Sequence, residues 1–299
     1  MASSQKLKRR NHTVNRSYLQ RFADDDGVLT RVDLPGDRRM PVSVTDATVI
    51  KNFYVVTLAD GTETDLAEDA FGLVEGAAAE AMRSIADRMT WPIPPRVRED
   101  IAGWAALQYL RGPWVRQLGR ELAEQFSGAG VSVKGDAGEQ FVVKMAAEGL
   151  AELTGPSLQL QLIHRQLPGV AEMLCKRDWI LTYYQRKSLA TSDTPVVLLP
   201  SSDHLDILGV GVANAGEIYV PLDRRVGLSM ASQGTGDLRG YGVAKTALYC
   251  NDAMAKNARK YLFHHPEDDP LRGLELPEPR NRELANPGEA GSLIEHLFQ

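Results

Sequence analysis

The run Thr191-Ser192-Asp193-Thr194-Pro195-Val196-Val197-Leu198-Leu199-Pro200 constrains the chain most tightly. Pro195 disfavours helix at Thr194, so the backbone there is extended or turning. Val196 and Val197 favour a pleated surface, and Pro200 closes the apolar stretch. A turn therefore feeds a strand here, with Ser192 and Asp193 held at the corner by local bonds from side chain to backbone. A rigid polar corner of this kind either serves a site or is simply a well-made turn.

Upstream, the pattern passes from strand to helix and back. Val14, Tyr18 or Leu19, and Phe22 share the i, i+4 spacing of an amphipathic helix, with His12 or Thr13 at its entry. Asp24-Asp25-Asp26-Gly27 is a turn, and Val28 to Leu34 alternates with a period near two. Pro35-Gly36-Asp37 then turns the chain towards Pro41 to Val44, which predicts a hairpin. Lys51 to Val56 is a short aromatic and β-branched stretch, with Asp60-Gly61 as another turn. From Leu66 to Met89 strong helix formers dominate, and Leu73, Val74, Ala77, Ala81, Ile85 and Met89 make an apolar stripe. Trp91-Pro92-Ile93-Pro94-Pro95 ends that helix. A second helix covers Arg96 to Leu110 and restarts after Gly112-Pro113 as Trp114 to Phe126. Ala137 to Leu153 and Leu158 to Leu174 are two further helical blocks.

The second half reads as strands at Trp179 to Tyr184, Ser188 to Thr191, Val196 to Leu199, Glu217 to Leu222 and Val226 to Met230. Short spacings and Gly, Pro, Asp or Asn turns favour antiparallel pairing, and Thr246 to Phe263 reads as a last helix. Together these predict an α+β fold: a central helical bundle packed with an antiparallel sheet built from N-terminal and C-terminal strands. Residues 1–270 are expected to form one domain, helical over 66–175 and β-rich over 179–230, with 271–299 as a loosely ordered tail rich in Pro, Glu, Arg and Asn.

Composition narrows the function classes. The net charge of -5 is not that of a chain basic throughout, although Lys6, Lys8, Arg9 and Arg10 form a local basic arm. No apolar run follows that arm as in a signal peptide, and none is long enough to cross a bilayer. The two cysteines, Cys175 and Cys250, are too few for a disulfide framework. Two buried, reduced thiols in a cytoplasmic protein are the expectation.

Four stretches, taken in order, resemble a bacterial family catalogued as domain of unknown function 4238. Asn11-His12-Thr13-Val14-Asn15-Arg16-Ser17-Tyr18-Leu19-Gln20-Arg21-Phe22 is similar to the family's opening His-x-Val-Pro-x-x-Tyr-Leu-x-x-Phe, with Asn15 where proline is usual. Lys51-Asn52-Phe53-Tyr54 follows, then Leu73-Val74-Glu75 near the head of a long helix. Ala106-Leu107-Gln108-Tyr109-Leu110-Arg111-Gly112-Pro113 is similar to a Gln-x-x-Arg-x-Pro helix end, and the fourth stretch is Thr191 to Val197 with Tyr219-Val220-Pro221-Leu222 after it. The resemblance implies a shared fold and brings no activity with it.

The polar residues within these stretches are the candidates. Arg111 either bonds the last carbonyls of its helix or offers a planar fork to a phosphate or carboxylate, with Gln108 one turn earlier on the same face. Glu75 lies among apolar neighbours and, facing inward, needs a partner such as Arg111 or Arg16. His12 can move protons near neutral pH, and Arg16 falls one turn beyond it. His12, Arg16, Glu75, Arg111 and Asp193 would then make a catalytic set for phosphodiester hydrolysis. Gln108, Ser192, Lys8, Arg9 and Arg10 would contact a nucleic acid or nucleotide, with a divalent metal as one option for Asp193 and Glu75.

The competing expectation is a non-enzymatic binding or effector protein in which the same residues form a structural ion-pair network. Other motifs carry less. Ser192 lacks the Gly-x-Ser-x-Gly frame, and neither Gly209 to Gly216 nor Gly234 to Gly242 ends as a phosphate loop does. His264-His265-Pro266-Glu267-Asp268-Asp269 reads as a solvated loop.

Overall fold

The computed structural model describes residues 7–57, 60–113, 115–116, 156–201, 210–232, 234 and 236–280. The expected helices at Trp114 to Phe126 and Ala137 to Leu153 fall almost wholly outside these residues, as does the tail beyond Arg280.

The chain enters as a strand. Arg10–His12 (β1) lies antiparallel to Val49–Lys51, so His12 stands at a strand end and not at a helix entry. The helix begins only at Arg16, as a single turn (α1, Arg16–Leu19) that tightens into a 3-10 turn at Gln20–Phe22. Val14, Tyr18, Leu19 and Phe22 are all buried, so the apolar spacing was real although the helix is shorter. Asn15 caps it in extended backbone with φ of -68°, the value a proline ring imposes.

Val28–Asp33 (β2) and Arg38–Ser43 (β3) form the expected hairpin, and Val49–Lys51 (β4) is the partner of β1. Val56–Thr57 (β5) and Glu63–Thr64 (β6) make a second small hairpin.

Leu66–Met82 (α2) follows, continuing as a π-helical turn to Asp87. Its inward face is Phe71, Ala78, Ala81, Met82 and Ile85. Leu73, placed by sequence in the buried stripe, is 79% exposed, and Met89 is also exposed. An alanine-rich helix carries little information about its own face, and one large residue, Phe71, decides it.

Pro95–Leu110 (α3) starts on proline at its first position and buries Ile101, Trp104, Leu107 and Leu110. The chain is helical again at Pro113, Val115 and Arg116. Pro156–Cys175 (α4) packs on α3, completing the bundle over the described residues.

Asp178–Tyr184 (β7), Thr191–Ser192 (β8), Val197–Pro200 (β9), Ala215–Asp223 (β10) and Val226–Ala231 (β11) place strands where expected, although the one at Ser188 to Thr191 begins only at Thr191. Leu238–Gly242 (β12), within a stretch read as a glycine-bearing loop, is a strand parallel to β7. Ala244–Asn257 (α5) ends sooner than expected, and Tyr261–His264 (β13) follows as a strand. His264 and His265 are consequently buried at the end of that strand instead of lying in a solvated loop.

Two larger sheets result. One has the order β12-β7-β11-β10-β9; the other, β3-β2-β13-β8, is antiparallel and interleaves the N-terminal hairpin with strands from the C-terminal half. The fold is α+β, with helices packed between strands from both ends of the sequence. A core from Val14 to Phe263 joins bundle and sheets, and a second cluster gathers α5, Leu262 and Leu271. Leu274 and Leu276 pack against that second cluster, so the first part of the expected loose tail lies on the sheet.

Candidate functional site

The segment carrying His12 is sewn to the loop before β4. Thr13 N and Thr13 Oγ1 both donate to the Thr48 carbonyl, at 3.1 and 3.2 Å, and Thr48 Oγ1 donates to the Val14 carbonyl at 2.8 Å. Asn11, wholly buried, accepts from Tyr54 N at 3.1 Å and donates to Glu68 Oε1 at 3.0 Å. This fixes β1 against the head of α2, and it presents the Thr13 carbonyl to the end of α3.

Arg111 occupies that meeting point. It is the residue capping α3, and only 1% of it is exposed. Its Nε donates to the Thr13 carbonyl at 3.0 Å and its Nη1 to Glu75 Oε1 at 2.5 Å. With the Gln108 amide turned so that its oxygen faces the guanidinium, that oxygen accepts from Nη2 at 3.1 Å and Nε at 3.2 Å. Phe71 lies below, its ring centroid 5.8 Å from the guanidinium carbon. Glu75, one turn beyond Phe71, therefore faces inward with Arg111 as its partner, and the pair joins α2 to α3.

Glu68 belongs to the same cluster, although the sequence reading did not single it out. It lies seven residues before Glu75, two turns back on the same helix face. Burial pushes its carboxyl above the usual carboxylate range, against the pull of Arg111 and the Asn11 amide.

His12 is half-buried, with Nε2 3.3 Å from the Thr45 carbonyl. Burial lowers its pKa from the ordinary value of 6.5, opposed by that carbonyl and by Glu75 and reinforced by Arg111 and Arg16. His12 therefore lies within the electrostatic reach of Glu75, Arg111 and Arg16. Arg16 itself is exposed.

Asp193 does not join them directly. Its Oδ1 and Oδ2 accept from the backbone N–H groups of Arg259 and Lys260, each at 2.9 Å. It lines a pocket of about 290 Å³ with Thr13, Thr48, Pro113 and Tyr261, so it adjoins the His12 strand through Thr13. Burial raises its pKa, while the three backbone N–H groups around it and Arg259 pull the other way. Ser192 is fully buried in β8, and its Oγ accepts from Thr194 N at 3.1 Å. The corner at 191–195 is thus a bonded turn, tied further by Asn257.

Lys6 lies outside the described residues, and the rest of the basic arm is paired with acids. Lys8 bonds Asp69 at 2.5 Å, Arg9 bonds Glu63 at 2.7 Å, and Arg10 bonds Asp46. All six side chains are exposed, so each pair is worth little on its own. Among the described residues no group of three or more His, Cys, Asp or Glu side chains is placed to hold a metal ion.

A helix bundle joined to interleaved sheets, with a guanidinium clasp at the junction, defines the kind of protein this is, and sequence comparison places it. The model of the family described as "Protein of unknown function (DUF4238)" matches residues 10–268, and the chain belongs to that family. No curated protein and no solved structure matches it. Asn15 holds a proline-like φ of -68° and accepts from Trp104 Nε1 at 2.9 Å. No helix among the described residues is long and apolar enough to cross a membrane.

Proposed function

We propose that this chain is a non-catalytic binding or effector protein, and that its cluster around Arg111 is a structural clasp. The observation that carries this reading is the enclosure of Arg111. Its guanidinium is 1% exposed and turned to Thr13, Glu75 and Gln108, which leaves no fork open to a phosphate. The engagement of both Asp193 oxygens by backbone N–H groups points the same way. The test pairs thermal melts of Arg111→Ala and Glu75→Ala with assays of phosphodiester cleavage on a single-stranded oligonucleotide and on bis(4-nitrophenyl) phosphate, with and without Mg2+ or Mn2+. Early melting of both variants and no cleavage by the wild-type chain is the expected result.

One observation favours a second reading, a phosphodiester hydrolase. The half-buried imidazole of His12 feels the charges of Glu75, Arg111 and Arg16, and Arg16 is exposed. In that reading His12 moves the proton, Arg16 holds the phosphate, and Glu75 and Asp193 orient water or a divalent cation. Lys8, Arg9 and Arg10 exchange their carboxylate partners for a nucleic acid. Cleavage by the wild-type chain that His12→Ala abolishes without loss of melting temperature would establish it and displace the first.

A further inference from the structure

Arg177 lies in the turn between α4 and β7 and is half-buried. Its Nη2 donates to the Val212 and Ala215 carbonyls at 2.9 and 2.7 Å, and its Nη1 to the Met230 carbonyl at 3.3 Å. Val212 and Ala215 lie at the entry of β10 and Met230 near the end of β11. All three acceptors are neutral. The Nε–H and the second Nη1–H bond nothing among the described residues.

This charge balance sets Arg177 apart. The half-buried Arg21, Arg31, Arg98, Arg224 and Arg225 each pair with a carboxylate, as does the buried Arg111. For Arg21, Asp87 and Asp223 raise the pKa against burial, whereas burial alone acts on Arg177 and lowers it. The acids close to it in sequence are turned elsewhere. Asp178 accepts from the Gly234 and Gly236 N–H groups at 2.6 and 2.9 Å, and Glu172 pairs with Lys176 at 2.6 Å. A cation partly withdrawn from water with no counter-charge is costly to hold.

A pocket of about 530 Å³ opens beside this guanidinium. Met173 and Val212 give it apolar wall, and Ser201 stands at its rim. Only glycine at position 216 lets Ser201 come so close to β10, since a Cβ there would lie 2.7 Å from Ser201 Cα. The volume is that of a small-molecule site. A cation lacking its anion, a hydroxyl and an apolar wall together define the chemistry of an occupant.

We propose that this pocket binds a small organic anion, an apolar body carrying a carboxylate or a phosphate monoester, and that Arg177 is its counter-charge. The anionic oxygens accept from the Arg177 N–H groups and the Ser201 hydroxyl, and the body lies against Met173 and Val212. The pocket shares no residue with the Arg111 clasp, so it goes beyond the reading of that clasp and neither stands or falls with the other.

The experiment titrates the full chain with benzoate, phenyl phosphate, inorganic phosphate and benzyl alcohol, following backbone amide chemical shifts and melting temperature. Benzoate or phenyl phosphate should shift the amides of Arg177, Ser201 and Gly216 and raise the melting temperature, and the tighter of the two identifies the head group. Inorganic phosphate lacks the body and benzyl alcohol the charge, so each should bind about tenfold more weakly or worse. Met173, 38% exposed, stands one helical turn before Arg177. Met173→Glu puts a carboxylate four residues ahead of the arginine, the favourable order for a pair. It should raise the melting temperature of the free chain and weaken the organic anions about tenfold, while Met173→Gln changes neither. An arginine that serves only to bond carbonyls would link no such pair of effects. No binding of either organic anion overturns the proposal, as does equal binding of benzyl alcohol, equal binding by Met173→Glu, or shifts confined to another part of the chain.

Discussion

Arg111 Nε donates to the Thr13 carbonyl at 3.0 Å, joining the end of α3 to the N-terminal segment across 98 positions of sequence. The bond explains why a charged residue can sit in the core. The guanidinium meets a carbonyl, a carboxylate and an amide oxygen, so its donors find acceptors without water.

Arg111→Ala leaves Glu75 and the Thr13 carbonyl without that partner. Breaking a buried pair by removing one member costs about 3–5 kcal/mol; Glu75 is partly exposed, which places the expected loss at the low end. Urea unfolding of the variant beside wild type measures it. Arg111→Lys should recover only part, since an ammonium cannot reach all three acceptors in one plane. A midpoint unchanged from wild type would show that the clasp contributes nothing.

Tyr18 joins the two halves through its hydroxyl, 2.7 Å from Thr191 Oγ1 and donating to the Pro221 carbonyl at 2.8 Å. Tyr18→Phe keeps the ring packed against Trp104 and removes only the hydroxyl. A loss of about 1–3 kcal/mol follows from leaving a buried polar partner unsatisfied. Thermal unfolding with unchanged secondary-structure content is the readout.

Asp193→Ala withdraws the acceptor from the backbone N–H groups of Arg259 and Lys260. An orphaned buried donor costs about 1–3 kcal/mol; the Arg259 donor is only part-buried and the Lys260 donor exposed, so the loss falls at or below the low end, and the turn into β13 should loosen first. Faster amide exchange at Arg259, Lys260 and Tyr261 than elsewhere in the same sheet is expected. If exchange is uniform, the carboxylate does not hold that turn.

Acid should weaken the fold through its histidines. Burial lowers the pKa of His12 and of His264 from 6.5, so the unfolded chain takes up protons that the folded chain refuses. The stability these neutral rings provide is present above pH 6.5 and is lost as pH falls through 6.5 towards the lower folded values. His12→Gln and His264→Gln should each flatten the fall in unfolding midpoint below pH 6.5, and an unaltered slope in both would remove the assignment.

Much of the architecture was legible where turn chemistry and periodicity agreed. Pro35-Gly36 with alternating neighbours defined the β2–β3 hairpin, and the prolines at 92, 94 and 95 separated α2 from α3. The pairing of Glu75 with Arg111 was among the alternatives that burial of a carboxylate allows. β13 was hidden because Ala253, Ala255 and Ala258 extend a helical signal with no glycine or proline to stop it. β12 was hidden because its two glycines and exposed side chains carry no alternation. The place of His12 depended on β4, some forty positions away, and no local pattern reports such a pairing.

The interleaving of the antiparallel sheet has a consequence for synthesis. The β2–β3 hairpin is synthesised well before its inner neighbour, β13, which pairs with β2 from the far side of the helices in sequence. Contacts so distant in sequence slow folding. Until β13 is made the hairpin therefore keeps an unmatched edge, and a nascent chain halted before Tyr261 should depend on chaperones in a way that one extending past His264 does not.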